Sequence, residues 1–163
     1  MKIFIVWLVM LIGCSSKEEG SQDRILKLQS VWNSRDIRVA IENIDGLRMV
    51  DQDVEYEVYG IEDKIKIFSL SITVQKKDRK IISIVAPVGN GEEVSSSLVK
   101  EKLKSDDWKT YEHPKRGIDY IQLDVSEYSE KLGVGFAYDK LDKEKKTRMI
   151  YWGGDPKNIK QLL

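Results

Sequence analysis

Cysteine and histidine are almost missing: the 163 residues contain one of each, Cys14 and His113. With a single thiol the chain can form no internal disulfide, so its stability must come from a hydrophobic core. The same scarcity removes most zinc-type ligand sets and most Cys–His or Ser–His nucleophile arrangements. An excess of one charge sign is also missing, with 27 basic against 27 acidic residues. There is no basic face, no finger spacing and no aromatic-interleaved basic run, so nothing favours a nucleic-acid partner. Long apolar runs are absent too. The longest, Ile3 to Ile12, has ten residues, about half of the ~20 that cross a bilayer.

That short run is nevertheless the most informative part of the chain. Lys2 precedes it and Gly13-Cys14-Ser15-Ser16 follows it, the layout of a secretory signal with a basic start, a core of ~7–15 apolar residues and a small-residue cut site. The ending Leu11-Ile12-Gly13-Cys14 resembles the lipobox of bacterial lipoproteins. The resemblance covers residues 1–16 only and implies three things. Residues 1–13 are a cleaved signal peptide. The Cys14 thiol receives a diacylglycerol, and the new terminus is often acylated with a palmitate-like chain. Residues 14–22 are then a lipidated tether. Two or more acyl chains hold a protein stably on a membrane where one gives only marginal binding. Lys17, Glu18 and Glu19 carry both signs, so the tether is not a polybasic lipid-binding segment. Seven residues separate Cys14 from the first patterned position and reach about 25 Å at most.

Residues 23–163 are expected to form a single α+β domain, and the 150 residues left after cleavage are enough for one ordinary core. Ile25, Leu28 and Trp32 recur at helical spacing over residues 23–32. From Arg35 the period changes to two, and Ile37, Val39 and Ile41 read as a strand. Asp45-Gly46 reads as a turn into residues 47–50. Val54, Tyr56 and Val58 alternate as a strand ending near Gly60, paired with a long strand over residues 64–75. In that hairpin Tyr59 faces Lys64, Val58 faces Ile65, Glu57 faces Lys66 and Tyr56 faces Ile67. The apolar phase slips between Ile67 and Leu70, which predicts a bulge.

A charged turn at residues 76–80 leads to a more buried strand at 81–85. Residues 92–104 read as the best helix, capped by Asn90 or Gly91, with Val94–Leu98 and Val99–Leu103 as core-facing pairs. After Trp108 and Tyr111, a loop through His113-Pro114 leads to strands at 118–125, 132–138 and 147–152, and Asp155-Pro156 starts a last short helix. The architecture expected is an antiparallel sheet with two main helices on one face. Each half runs helix, then strands, with a lysine-rich turn before the last strand, at residues 76–80 and 143–146. This order suggests a weak duplication of a helix-plus-strands unit, although the side chains match poorly.

The candidate chemistry is thin. Asp51, Asp53, Glu55 and Glu57, at spacing two, would share one strand face. An extended strand cannot wrap oxygens around calcium, so the row reads as a solvated face. His113 with Asp119 and Ser95, Ser96 and Ser97 lacks the strained serine turn of a hydrolase. Gly89-Asn90-Gly91 has the outline of a phosphate cradle, but Glu92 and Glu93 follow it and would repel an anion. Gly133 and Gly135 read as close-packing positions inside a strand. Among the aromatics of the second half, Phe136 and Tyr138 look like core. Tyr120 is out of phase and Tyr151 and Trp152 must point opposite ways, so one or two rings are expected to be partly exposed.

No residue is assigned to catalysis, and none to a metal or a cofactor; Cys14 is the one assigned site, for lipidation. The leading expectation is a lipid-anchored envelope protein that binds, inhibits or supports assembly. It would sit on the outer membrane, facing the periplasm, if the host has two membranes, and otherwise on the outer face of the cell membrane. Its partners would be the membrane, through the lipid on Cys14, and a protein. The alternative is a small glycan-cleaving envelope hydrolase, which would need two acids converging across a cleft. An immunity or lysozyme-inhibitor type of lipoprotein shares the size and exported location but has no matching motif here.

Overall fold

The computed structural model describes residues 21–62, 68–88, 94–112 and 125–154. They form one eight-stranded antiparallel open sheet and three helices, a mixed α+β architecture that is mostly sheet. In chain order the elements are α1 (Ser21–Ser34), α2 (Ile37–Asn43), β1 (Arg48–Gln52), β2 (Tyr56–Glu62), β3 (Phe68–Gln75), β4 (Lys80–Pro87), α3 (Ser96–Leu103), β5 (Trp108–Glu112), β6 (Val125–Ser129), β7 (Val134–Tyr138) and β8 (Thr147–Trp152). The strand order is β1-β2-β3-β4-β8-β7-β6-β5, two four-strand meanders joined through an antiparallel β4–β8 pair.

The segment expected to be a strand at Ile37, Val39 and Ile41 is helix α2. Its buried positions are Ile37 and Ala40, with Ile44 just beyond, a spacing of three and four that outweighs the accidental alternation. Asp36 caps it by accepting from the Arg38 amide at 2.9 Å, and Ile41 is left 46% exposed. Helix α3 starts at Ser96, later than expected. Ser95 is its cap, its hydroxyl accepting from the Leu98 amide at 3.2 Å. Val94 and Val99, both buried, flank that cap at the two positions of a hydrophobic staple, so Val94–Leu98 is not a helical pair.

The β2–β3 hairpin also differs from its expected register. Tyr56 pairs with Gln75, Glu57 with Val74 and Tyr59 with Ile72, so Glu57 does not face Lys66. Strand β2 runs on through Gly60 and Ile61 to Glu62 instead of turning there, and residues 63–67 lie outside the described set. Its inward face is Tyr59 and Ile61, the opposite phase to the one expected, and Val54 is 93% exposed in the β1–β2 turn. The bulge falls where the phase slip predicted it: Ile61 pairs with Leu70 and Glu62 with Phe68, skipping Ser69. Strand β5 was not expected, and β6 is described over Val125–Ser129; of the strand expected at 118–125 only Val125 lies within the described residues. The β6 sequence Ser-Glu-Tyr-Ser is wholly buried and carries polar residues inward, so it shows no apolar alternation. The last short helix and the Gly89-Asn90-Gly91 turn lie outside the described residues.

The main core joins Ile25, Leu28, Val31 and Trp32 of α1, Ile37 and Ala40 of α2, and Val99 and Leu103 of α3 to one side of the strands, including Ile72, Ile84, Phe136, Ile150 and Trp152. A second cluster, Val85, Tyr128, Ala137, Met149 and Tyr151, lies on the other side of the sheet. Tyr151 and Trp152 do point opposite ways, yet both are fully buried, because the second half of the sheet is covered on both sides. Among the described aromatics of the second half, the rings left partly exposed are Trp108 and Tyr111. Gly135 makes room for the Tyr151 ring: a Cβ there would lie 2.3 Å from the ring carbon Cζ. Gly133 instead ends the β6–β7 turn at φ 65°, against Trp32.

Helix α1 runs antiparallel to β4. Arg24 and Ile25 line a cleft with Pro87 and Val88 at the end of β4, while the Arg35 carbonyl accepts from the Ile81 amide at the start of β4, 2.9 Å. Local devices recur in the two halves. Asp36, the α2 cap, bridges Lys80, and Ser95, the α3 cap, bridges Lys146. The residue after each lysine donates its amide to the carbonyl just before each cap, Ile81 to Arg35 and Thr147 to Val94 at 2.8 Å. Each fourth strand then bulges one residue on, the ladder skipping Ile82 in β4 and Arg148 in β8.

Candidate functional site

The α1–α2 corner and the β3–β4 turn form the two walls of an open groove of about 490 Å3, at the end of the sheet where α1 finishes. Ser34, Arg35, Asp36, Ile37 and Arg38 line one wall, Asp78, Arg79 and Lys80 the other. The local sequence builds both walls. The chain reverses after α1 because Arg35 adopts φ 56°, and the β3–β4 turn closes because Arg79 adopts φ 59°. A left-handed residue with a Cβ costs about 1 kcal/mol or more, so these bends are held by their surroundings rather than by local preference.

Four cations and two carboxylates line the groove. Arg38 grips Asp36 with its Nε and Nη2, the latter at 2.7 Å, and this donation holds the Asp36 carboxyl below its usual range and raises Arg38. Arg79 pairs with Glu57 and donates from Nη2 to the Tyr59 hydroxyl at 3.2 Å; that bond leads the causes that raise it. Lys80 lies 3.6 Å from Asp78. Arg35 differs. Its guanidinium carbon lies 3.1 Å above the Trp32 ring and Nη1 donates to the Ile81 carbonyl at 3.2 Å. Burial lowers its pKa, and among the described residues no carboxylate pairs with it. The groove can hold an anionic or polyhydroxylated group through guanidinium donors, since Arg presents more donors than its internal partners use.

Two other polar clusters are built into the sheet. Asp107 accepts from the hydroxyls of Ser105 and Ser129 and from the Lys131 amide at 2.8 Å, which together hold its carboxyl well below the usual range. These bonds tie the start of β5 to the β6–β7 turn. In the core, Glu127 is 5% exposed and pairs with Lys100 of α3, while Tyr138 donates to it at 3.1 Å. Burial first, and then Glu127, push the Tyr138 hydroxyl up to about 12. The lowered Asp107 carboxyl is a weak base for the two serine hydroxyls it holds, and the raised Tyr138 hydroxyl stays protonated beside Glu127.

The expected carboxylate row does not exist as a face. Asp51 is on β1, Asp53 and Glu55 are in the β1–β2 turn, and Glu57 is on β2 toward Arg79. Asp53 is spent on the turn itself, accepting from the Glu55 and Tyr56 amides at 2.7 Å each. Ser95 is a helix cap, Ser96 is buried, and the Ser97 hydroxyl lies 2.9 Å from that of Ser95. His113, Asp119, Tyr120 and Cys14 lie outside the described residues. Among the described residues no three His, Cys, Asp or Glu side chains are placed to hold a metal, and no helix is long and apolar enough to cross a membrane. The groove residues were missed because they were read as strand and turn; the signal available was Asp36 two before Arg38, ahead of Ile37, Ala40 and Ile44 at helical spacing.

Compared with known protein families, curated proteins and solved structures, the chain matches none of them.

Proposed function

We propose that this chain is a lipid-anchored envelope protein, tethered through Cys14, that works by binding, with the basic groove as its docking place. The observation that carries the reading is the polarity of α1. The helix begins seven residues after Cys14 and ends at Ser34, which with Arg35 forms part of the groove wall. Fourteen helical residues span about 21 Å, so the groove lies the length of α1 away from the point where the membrane tether joins the domain. In a host with two membranes that membrane is the outer one. Binding is favoured over glycan hydrolysis by the two carboxylates that line the groove. A general acid needs a raised pKa, and Arg38 holds Asp36 in the opposite direction.

The proposal extends to the fold's history: a helix followed by four strands, duplicated, with the helices sharing one face of the sheet. The paired devices at Asp36–Lys80 and Ser95–Lys146 support it, because cap, bridge, left-handed residue and bulge recur in the same order. They match α2 with α3, which leaves α1, the helix nearest the tether, outside the repeat.

Cell fractionation of Cys14→Ala tests the anchor. Precursor or released protein is expected; mature-sized protein in the detergent phase would overturn it. Immobilised protein should retain envelope components less well when Arg38→Ala and Lys80→Ala are combined. Unchanged retention would move the binding surface away from the groove.

A further inference from the structure

We infer that the β7–β8 loop, residues 139–146, rests on the surface of the membrane that carries the lipid anchor, with Leu141 dipping among the headgroups. The inference rests on the lipidation reading above. It starts from position. Tyr138 pairs with Thr147, so the loop is an excursion from that end of the sheet. The same end holds the start of α1: Arg24 and Ile25 share a cleft with Pro87, Val88 and Val94, Val88 donates to the Arg148 carbonyl at 2.8 Å, and Val94 accepts from Thr147. A tether of seven residues keeps this end within about 25 Å of the bilayer.

The loop is also built for a surface. Leu141 is 80% exposed, and the turn beneath it is fixed by its own acids. Asp139 accepts from the Leu141 amide at 2.8 Å, and Asp142 accepts from the Glu144 and Lys146 amides at 3.0 and 3.2 Å. A rigid turn that holds a leucine in water gains nothing for folding from it. Four lysines surround it, Lys140, Lys143, Lys145 and Lys146, against Asp139, Asp142 and Glu144. Lys140 reaches Glu112 at 3.1 Å and Lys146 reaches Glu144 at 3.0 Å, whereas Lys143 is exposed and Lys145 lies over the Tyr138 ring. Exposed lysines beside an apolar residue suit an interface whose phosphates are anionic. The contrast is Val54, as exposed at the other end of the sheet but flanked by Asp53 and Glu55, which anionic headgroups repel.

The test uses the lone cysteine. In the mature lipidated protein the Cys14 thiol is blocked, so Leu141→Cys and Val54→Cys each offer one thiol for an environment-sensitive dye. In phosphatidylethanolamine–phosphatidylglycerol vesicles the dye at 141 should shift to the blue and resist a water-soluble quencher, and the dye at 54 should do neither. Adding Lys143→Glu should weaken the protection at 141. Equal quenching at both sites, with the protein floating on the vesicles, would overturn the loop contact and leave the anchor standing. Protein that fails to float would remove the anchor and this inference with it. Protection at 141 only after envelope proteins are added would show a protein partner instead and overturn the lipid contact.

Discussion

Arg79 and Lys145 hold the same left-handed backbone conformation, φ 59° and 48°, each immediately before the lysine that bridges a helix cap. The side chains answer to different surroundings. Arg79 grips Glu57 and the Tyr59 hydroxyl, whereas Lys145 only overlies the Tyr138 ring with its Nζ 5.8 Å from the centroid.

Glycine at these two positions should therefore have unequal effects. It relieves about 1 kcal/mol of left-handed strain at either site, offset by the glycine entropy of the unfolded chain. Lys145→Gly is expected to leave stability unchanged or slightly raised. Arg79→Gly should fall below it, because the Glu57 and Tyr59 contacts are lost. Urea unfolding of the two variants checks the order; Arg79→Gly as stable as Lys145→Gly would show that the Arg79 contacts contribute nothing.

Asp107 should shape the acid limb of the stability curve. Its folded carboxyl is held below the ordinary value by the hydroxyls of Ser105 and Ser129 and the Lys131 amide. A depressed folded pKa adds stability that is present above the unfolded value, about 3.9, and is lost as pH falls through the folded one. Asp107→Asn should lower stability at neutral pH and flatten its decline below about pH 4. A variant whose acid limb parallels the wild type would contradict this.

Much of the sheet was legible because its strands are apolar-rich runs bounded by turn residues. Thr147–Trp152 was read with its observed bounds, and the bulge near Ser69 was visible as a slip in phase. What failed did so for nameable reasons. Helix α2 has only seven residues, and Ile37, Val39 and Ile41 fit either period until Asp36 is recognised as a cap. The hairpin register rested on a turn near Gly60, with apolar residues facing apolar ones and Glu57 facing Lys66, whereas β2 continues to Glu62 and Glu57 pairs with Arg79 from the next turn. Strand β6 puts Glu127 and Ser129 inside, where only tertiary partners, Lys100, Tyr138 and Asp107, make burial tolerable. The groove depends on two left-handed arginines, and nothing in their neighbours announces that conformation.

Gly135→Ala should be among the most damaging small substitutions. The added carbon would lie 2.3 Å from the Tyr151 ring, and Tyr151 is fully buried. Overpacking of this kind costs about 1–3 kcal/mol. Gly46→Ala is the control, since a Cβ there meets nothing within 4 Å and only the backbone at φ 76° resists it. Thermal unfolding should show the larger loss at 135; equal losses would mean that the ring moves aside.

The last expectation concerns Glu127 and Lys100. A buried carboxylate stripped of its cation is costly, whereas replacing both members by apolar groups often restores stability. Lys100→Met leaves Glu127, 5% exposed, with Tyr138 as its remaining donor. The lysine side chain is itself 38% exposed, so solvent screening trims the loss to about 1–3 kcal/mol from the range for a fully buried pair. Glu127→Leu alone frees Lys100 to reach water and should cost less. The double variant Lys100→Met, Glu127→Leu should be more stable than Lys100→Met alone, because the uncompensated charge is gone even though the Tyr138 hydroxyl loses its acceptor. Urea unfolding of the four proteins closes the cycle. A double variant less stable than Lys100→Met would mean that losing the Glu127–Tyr138 bond between β6 and β7 costs more than leaving the Glu127 charge without its lysine.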